Sequence, residues 1–144
     1  MTDSILTTDI NATPQRVYAV LADLNGYGGW LPRSRTSTDR EHPIRTGTSY
    51  SDASLIGMAH GTVLECDPDR LLVFHQATLP GRFGGSMIAI TSRYALTPID
   101  GGTRVLRTGT IVTGGLIKGV RPLVVAAIRS ENRRTLRALK DFLE

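Results

Sequence analysis

His60 and His75 are the residues of this sequence best suited to proton transfer. The third histidine, His42, falls in a polar loop and is set aside. Imidazole titrates near neutral pH, and a histidine beside a carboxyl group is a common acid/base pair in enzymes. His60 and His75 fall in neighbouring predicted strands, with Glu65 or Asp52 available as the carboxyl. The residues therefore allow an acid/base pair, with a surface or structural histidine as the alternative for each.

The register of the strand around His60 decides between these alternatives. Side chains alternate across a strand, so His60 shares one face with Thr62 and Leu64, while Ala59 and Val63 share the other. Only one of the two sets can line an interior. The sequence alone leaves both possibilities open.

Other kinds of catalytic or cofactor site have no motif in this chain. There is no histidine and glutamate spacing for zinc, no nucleophile elbow, no phosphate-binding Walker loop and no dinucleotide fingerprint. Cys66 is the only cysteine, which excludes an internal disulfide and a zinc site built from several thiolates. We therefore predict no metal and no cofactor.

Two later strands offer residues for the wall of a small-molecule site. Alternation places Ile90, Ser92 and Tyr94 on one face of a predicted strand, and Val105 and Arg107 on one face of the next. If these faces point inward, they form an apolar wall with a few polar groups, as small-molecule sites usually have. A buried Arg107 would need an anionic partner or ligand, whereas an outward Arg107 would lie in water.

These strands belong to a longer series of predicted elements. A strand over Ser4 to Ile10 precedes a helix for which Thr13 is the N-cap and Pro14 the first residue. A long helix runs from about Leu116 or Gly119 to Phe142 at the other end of the chain. Turn residues divide the segment between the helices into short antiparallel strands. These are predicted at Ser34 to Asp39, Thr48 to Leu55, Met58 to Glu65, Leu71 to Leu79, Met87 to Thr97 and Thr103 to Val112.

This order of elements predicts an α+β fold. A curved antiparallel sheet of six to seven strands wraps around a long C-terminal helix, with one or two short helices after the first strand. Residues 1–144 are predicted to form a single domain. Val120, Val124 and Ile128 have the four-residue spacing of a helix face and are predicted to face the sheet, while Trp30 is predicted to tuck inward.

Five segments distributed along the chain resemble those of one protein superfamily. The chain is similar to the START-like, Bet v 1-like helix-grip superfamily, also called SRPBCC, and within it to the polyketide cyclase/dehydratase and lipid-transport group. The segments are Ile10 to Asp23, Trp30-Leu31-Pro32, Gly61 to Leu71, Tyr94 to Val105 and Glu131 to Lys140.

The resemblance implies a cavity between the sheet and the long helix. Such cavities bind hydrophobic or amphipathic molecules of lipid, polyketide, sterol or quinone type, and we expect this chain to bind one of them. The alternative is a cyclase, aromatase or dehydratase, with His60, His75, Tyr94 and Arg107 as its candidate catalytic residues. The expected cavity residues are Trp30, Met58, His60, Ile90, Ser92, Tyr94, Val105, Arg107, Val120, Val124 and Ile128.

The charge of the chain suggests a second alternative. The net charge is +4, and Arg129, Arg133, Arg134 and Arg137 form a basic face on the predicted C-terminal helix. That face could serve an interaction module, but no nucleic-acid motif accompanies it and we expect no nucleic-acid partner. The longest apolar stretch is too short to span a bilayer. We expect a cytoplasmic protein that is a monomer or homodimer.

Overall fold

The computed structural model describes residues 4–31, 36–38, 44–54, 57–78 and 87–144. Its two α-helices are α1, Pro14–Ala22, and α2, Arg121–Leu143. Two 3-10 helices cover Leu24–Gly29 and Gly115–Val120. The strands are β1 (Ser4–Ile10), β2 (Thr36–Ser37), β3 (Ser49–Ser54), β4 (Gly57–Asp67), β5 (Leu71–Thr78), β6 (Met87–Ile99) and β7 (Gly102–Gly114).

The start of α1 follows the sequence prediction. The Thr13 side chain accepts a hydrogen bond of 3.2 Å from the backbone N–H of Arg16, and Pro14 lies in the first turn. An N-cap oxygen satisfies an amide that has no partner inside the helix. Val17 and Leu21 form the buried stripe of α1. The helix therefore begins at its capping residue and packs through one apolar face.

All seven strands form one antiparallel sheet in the order β1-β7-β6-β5-β4-β3-β2. The first strand pairs with the last, and the strands between them follow as a meander. The register of β4 against β5 shifts between Val63 and Glu65, which is a local irregularity that increases strand twist. With α2 against one face of the curved sheet, the predicted α+β helix-grip class is confirmed.

Strand register assigns each side chain to one of two faces of the sheet. Tyr94 lies opposite Arg107 and Ser92 opposite Gly109, and the row of Ser92 continues through Phe74 to Val63. Most of the residues in these rows are buried, whereas the alternate positions are mostly exposed or half-buried. We call the face that carries these rows concave and the opposite face convex.

Helix α2 begins later than its sequence pattern predicts. Residues Gly115–Val120 form a 3-10 helix, and Pro122 lies in the first turn of α2. The buried side chains of α2 lie on one face, and the helix approaches β1 most closely. Val120 precedes α2 and is 47% exposed, so the prediction that it faces the sheet and lines the cavity is wrong. None of the described helices is long and apolar enough to cross a membrane.

Candidate functional site

A band of buried polar side chains divides the apolar interior in two. The larger apolar cluster includes Tyr94, Val105 and Leu136, and the smaller one includes Ile111 and Ile128. On the concave face of β6 and β7 and on the buried face of α2, the residues between these clusters are polar or glycine, and Ser4 of β1 lies opposite Gly109 of β7. We call the polar ones the polar layer, and they are Ser4 of β1, Ser92 of β6, Arg107 of β7 and Asn132 of α2.

Arg107 is the only charged member of the polar layer. Its guanidinium lies 5.1 Å from the centre of the Tyr94 ring, and its Nη2 donates a hydrogen bond of 3.2 Å to Oγ of Ser92. Arg107 as a whole residue is only 8% exposed. The contact with an aromatic ring stabilises a cation modestly, by about 2 kcal/mol when water is excluded. That is less than the several kcal/mol required to bury a charge.

Several buried donors of the interior have no acceptor within the described residues. They are Nε and Nη1 of Arg107, Nε1 of Trp30 and Oγ1 of Thr113. Buried polar atoms are almost always hydrogen-bonded, because an unsatisfied one costs roughly 1 to 3 kcal/mol. All of these groups carry a hydrogen to donate. The unsatisfied sites therefore match a molecule that supplies oxygen acceptors.

Two tyrosines lie within electrostatic range of Arg107. The Tyr27 hydroxyl donates a 2.7 Å hydrogen bond to the backbone oxygen of Leu21, and burial holds its pKa well above the ordinary value. Burial also raises the pKa of Tyr50, and Asp52 raises it further. The charge of Arg107 acts on both phenols in the opposite direction. Both phenols are therefore neutral donors at physiological pH.

A hydrogen-bonded network crosses β3 and β5 on the same face. The Tyr50 hydroxyl donates to Oε1 of Gln76 over 3.0 Å, and Oγ1 of Thr36 donates to Oδ1 of Asp52 over 3.3 Å. The Gln76 side chain also hydrogen-bonds to the Asp52 carboxyl. Burial raises the pKa of Asp52, and the two hydrogen bonds offset part of that rise. Asp52 is thus a carboxyl group that binds its proton more tightly than usual.

One end of the concave face, which we call the open end, is only partly covered, although Ile88 opposite Thr78 is buried there. Asp52, Gln76, Thr78 and Ile90 all point to this face by register, yet each is only half-buried. At the other end the concave residues Leu72, Leu96 and Val105 are fully buried or nearly so. A small molecule entering at the open end would meet the network around Asp52 first and the polar layer next.

Gly61 provides the space for the ring of Tyr50. A Cβ atom built at Gly61 would lie 2.2 Å from Cζ of Tyr50, which no packing allows. The two residues are cross-strand partners of β3 and β4. The Tyr50 ring meets Phe74 edge-on at 5.8 Å, and Phe74 meets Tyr94 at 6.2 Å in the same way. Aromatic rings thus connect the network of Asp52 to the cation of Arg107.

The structure brings many of the predicted cavity residues to the interior. Ile90, Ser92, Tyr94, Val105 and Arg107 lie on the concave face. Trp30 is buried against Tyr27 with ring centres 4.9 Å apart, and Val124 and Ile128 of α2 pack in the smaller apolar cluster. Their contact with a ligand remains a prediction. The side chain of Met58 lies outside the described residues, as does His42.

The histidines lie on the other side of the sheet. His60 and His75 do share a face and lie on neighbouring strands, but that face is convex. His60 is exposed, and Nδ1 of His75 lies 3.0 Å from Oγ1 of Thr91. Asp52 lies on the opposite face. The prediction that His60 lines the cavity is wrong, and neither histidine can act in the interior with Asp52.

Sequence reasoning missed several polar residues of the interior, among them Ser4 of the polar layer. Tyr50 and Gln76 were not singled out, and neither was Asn132 of α2. The spacing of Tyr50 and Asp52 by two positions is a signal that both lie on one face of a strand. A glycine at position 61, directly opposite a tyrosine, is the signal that could have assigned that face to the interior.

A comparison with family models agrees with this architecture over the full chain. The model described as polyketide cyclase / dehydrase and lipid transport matches residues 1–144. The chain belongs to this family. No curated protein matches the sequence.

Solved structures share the fold of this chain at low sequence identity. An uncharacterised protein from Rhizobium leguminosarum is 17% identical, with a TM-score of 0.73 over 99% of this chain and 93% of its own. BexL, a di-domain ARO/CYC protein from the BE-7585A biosynthetic pathway, is 22% identical, with a TM-score of 0.73 over 98% of this chain and 49% of its own.

A second di-domain protein gives the same result. StfQ, a di-domain ARO/CYC protein of the steffimycin biosynthetic pathway, is 15% identical, with a TM-score of 0.72 over 97% of this chain and 50% of its own. This chain therefore spans about half the length of both di-domain proteins. Sequence identities this low show that this family member shares the fold of those proteins. They do not assign a reaction to it.

Proposed function

We propose that this protein binds a small hydrophobic or amphipathic molecule between the concave face of the sheet and α2. The observation that carries the proposal is Arg107, a buried cation with two nitrogens that have no acceptor among the described residues. A native interior tolerates such a group when a ligand completes it, because the ligand restores both the charge balance and the hydrogen bonds.

The half-buried end of the concave face supports this proposal. Gln76, Thr78 and Ile90 provide a mixed polar and apolar entrance, and the smaller apolar cluster lies directly behind Ile90. Small-molecule sites commonly combine apolar walls with a few placed polar groups. The family, which includes lipid transport in its description, supports the same function.

Ligand-induced stabilisation tests the proposal. We expect a subset of fatty acids, sterols and polyketides to raise the melting temperature, because a ligand that binds only the folded state stabilises it. Native mass spectrometry of the purified protein checks for a co-purifying molecule. Absence of both a bound molecule and a thermal shift across the panel would contradict the proposal.

A substitution that fills the interior tests where the ligand binds, and the same substitution at the neighbouring position is the control. Gly109 lies on the concave face beside Ser4 and Asn132, and Thr108 precedes it on the convex face. We expect Gly109→Leu to abolish the ligand-induced shift and Thr108→Leu to retain it, with circular dichroism used to show that both variants fold. A shift that survives Gly109→Leu would place the ligand elsewhere.

A cyclase or dehydratase reaction in the same space is the second candidate function, favoured by Asp52. This carboxyl lies at the open end, with its pKa raised by burial, as suits a group that exchanges protons. As a base it would take a proton from a carbon between two carbonyls, so that the carbanion attacks a ketone of the same chain. The proton then returns to the new alkoxide.

Separate measurements of binding and turnover test this second candidate. With a short synthetic poly-β-ketone thioester, we expect Asp52→Asn to lower the rate at least tenfold and to leave Kd within about threefold, since the amide keeps the size of the carboxyl but cannot accept the proton. Thr78→Val, a substitution at the same end of the concave face, is the control. Equal rates for wild type and Asp52→Asn would exclude the role of Asp52.

A further inference from the structure

We infer that the ligand is an organic monoanion, a carboxylate on an apolar body, and that its carboxylate lies in the polar layer against Arg107. This inference rests on the proposed binding function and specifies the chemistry of the ligand. It starts from a comparison of two arginines on β7. Arg104 has a carboxylate partner, Asp9, at 2.8 Å, whereas no ion pair of the described residues includes Arg107.

The carboxyl group of the concave face is too far along the sheet to neutralise Arg107. Cross-strand pairing places Asp52 level with Thr113, which is six positions beyond Arg107 on β7 and four strands away from β3. Asp52 has its own hydrogen bonds from Thr36 and Gln76. An arginine keeps its charge in proteins, so the polar layer carries an unbalanced positive charge in the described structure.

The surroundings of Arg107 favour a carboxylate over other groups. One positive charge is balanced by one negative charge, and a dianion would leave an excess charge between two apolar clusters at a large desolvation cost. The Tyr94 ring covers a face of the guanidinium and Ser92 accepts from Nη2. Nε and Nη1 have no acceptor among the described residues, and Nη2 keeps a second hydrogen besides the one it donates to Ser92. A carboxylate can pair with Nε and Nη2 on one edge of the guanidinium, or with Nη1 and Nη2 on the other.

The residues beyond Arg107 indicate where the apolar body of the ligand lies and how long it is. From Ser92, beside the cation, strand β6 continues through Ile90 to Ile88, and both isoleucines lie in the smaller apolar cluster. Four residues of an extended strand span about 13 Å. Val124 and Ile128 of α2 pack in the same cluster. An acid with an apolar body of about this length would extend from Arg107 towards the open end.

Binding of matched acids and amides tests this inference. The probes are decanoate with decanamide and 2-naphthoate with 2-naphthamide, measured by calorimetry on the full-length protein. In each pair the two molecules differ in charge and hardly in shape. We expect an acid to bind at least tenfold more tightly than its amide to the wild type, because only the acid neutralises Arg107.

Variants of the two β7 arginines show which arginine causes the preference for the acid over the amide. Arg107→Met keeps the approximate length of the side chain and removes its charge and donors, so we expect the preference for the acid to disappear. Arg104→Met removes an exposed arginine on the convex face and should leave the preference unchanged. Arg107→Lys keeps the charge with different donors, and we expect it to retain part of the preference.

Each result has a defined meaning. Equal binding of acid and amide to the wild type would overturn the inference and leave the proposed binding function standing. The same holds if the acid preference survives Arg107→Met in folded protein. If none of the four probes binds, the carboxylate inference is also overturned, and the ligand panel described above decides separately whether the interior binds any molecule.

Discussion

Arg104 and Arg107 lie three positions apart on β7 and on opposite faces of the sheet, and they differ in every partner. Arg104 forms two hydrogen bonds with the Asp9 carboxylate in solvent, at 2.8 and 3.1 Å. Arg107 lies in the interior beside Tyr94 and Ser92. A buried charge of this kind costs stability, which is typical of a functional position.

The first prediction is that Arg107→Met stabilises the protein in the absence of ligand. Replacing an uncompensated buried cation by an apolar side chain of similar length removes its desolvation cost, so the free energy of unfolding should rise by about 1 to 3 kcal/mol. Urea denaturation measures the change, with Arg104→Met as the exposed control. A large loss of stability on Arg107→Met would show that the described surroundings satisfy this arginine after all.

The second prediction compares the same substitution at two glycines of the concave face. Gly61→Ala places a methyl group 2.2 Å from the Tyr50 ring and should cost about 1 to 3 kcal/mol of stability. At Gly109 the nearest atom, Cβ of Ser4, lies 3.7 Å from the added methyl group, which is an ordinary contact. Gly109→Ala should therefore be neutral or stabilise by about 0.5 kcal/mol. Denaturation of both variants checks the contrast, and equal effects would contradict it.

The third prediction concerns the pH dependence caused by Asp52. Because burial raises the pKa of this carboxyl, the folded protein binds its proton more tightly than the unfolded chain does. The contribution of Asp52 to stability is therefore fully present below pH about 4, the ordinary range of an aspartate, and is lost as the pH rises through the folded-state pKa.

Asp52→Asn isolates that contribution. We expect the stability of the wild type relative to Asp52→Asn to fall between pH 4 and pH 7, as measured by urea denaturation at several pH values. The difference is independent of the other titrating groups, because they are common to both proteins. A relative stability that rises with pH would mean that folding lowers the pKa of Asp52.

The fourth prediction concerns the attachment of the loop before α1 to the sheet. Thr103 is fully buried, and its hydroxyl donates a 2.7 Å hydrogen bond to the backbone oxygen of Ala12. Thr103→Val keeps the shape but leaves that oxygen without its donor, which should cost about 1 to 3 kcal/mol. Thr110→Val, at a half-buried position of the convex face, is the control and should have little effect. Similar losses for both valines would contradict the role assigned to Thr103.

Local sequence signals were sufficient for most of the fold. Thr13 and Pro14 mark the start of α1 because a cap oxygen and a residue without an N–H suit the first helical turn. Turn residues gave the strands β3 to β7 to within a few residues. The start of α2 was less well predicted, because a 3-10 helix has nearly the same short-range pattern as the first turn of an α-helix.

The sequence by itself determined which residues share a face, and the tertiary structure decided which face is the interior. Alternation placed His60 with Thr62 and Tyr94 with Ser92, since side chains of a strand alternate whatever covers the sheet. Whether those faces meet α2 depends on pairing with distant strands. The register puts His60 in solvent and Arg107 inside, because β1 pairs with β7 and α2 packs nearest β1 on the concave face, where Asn132 lies beside Gly109.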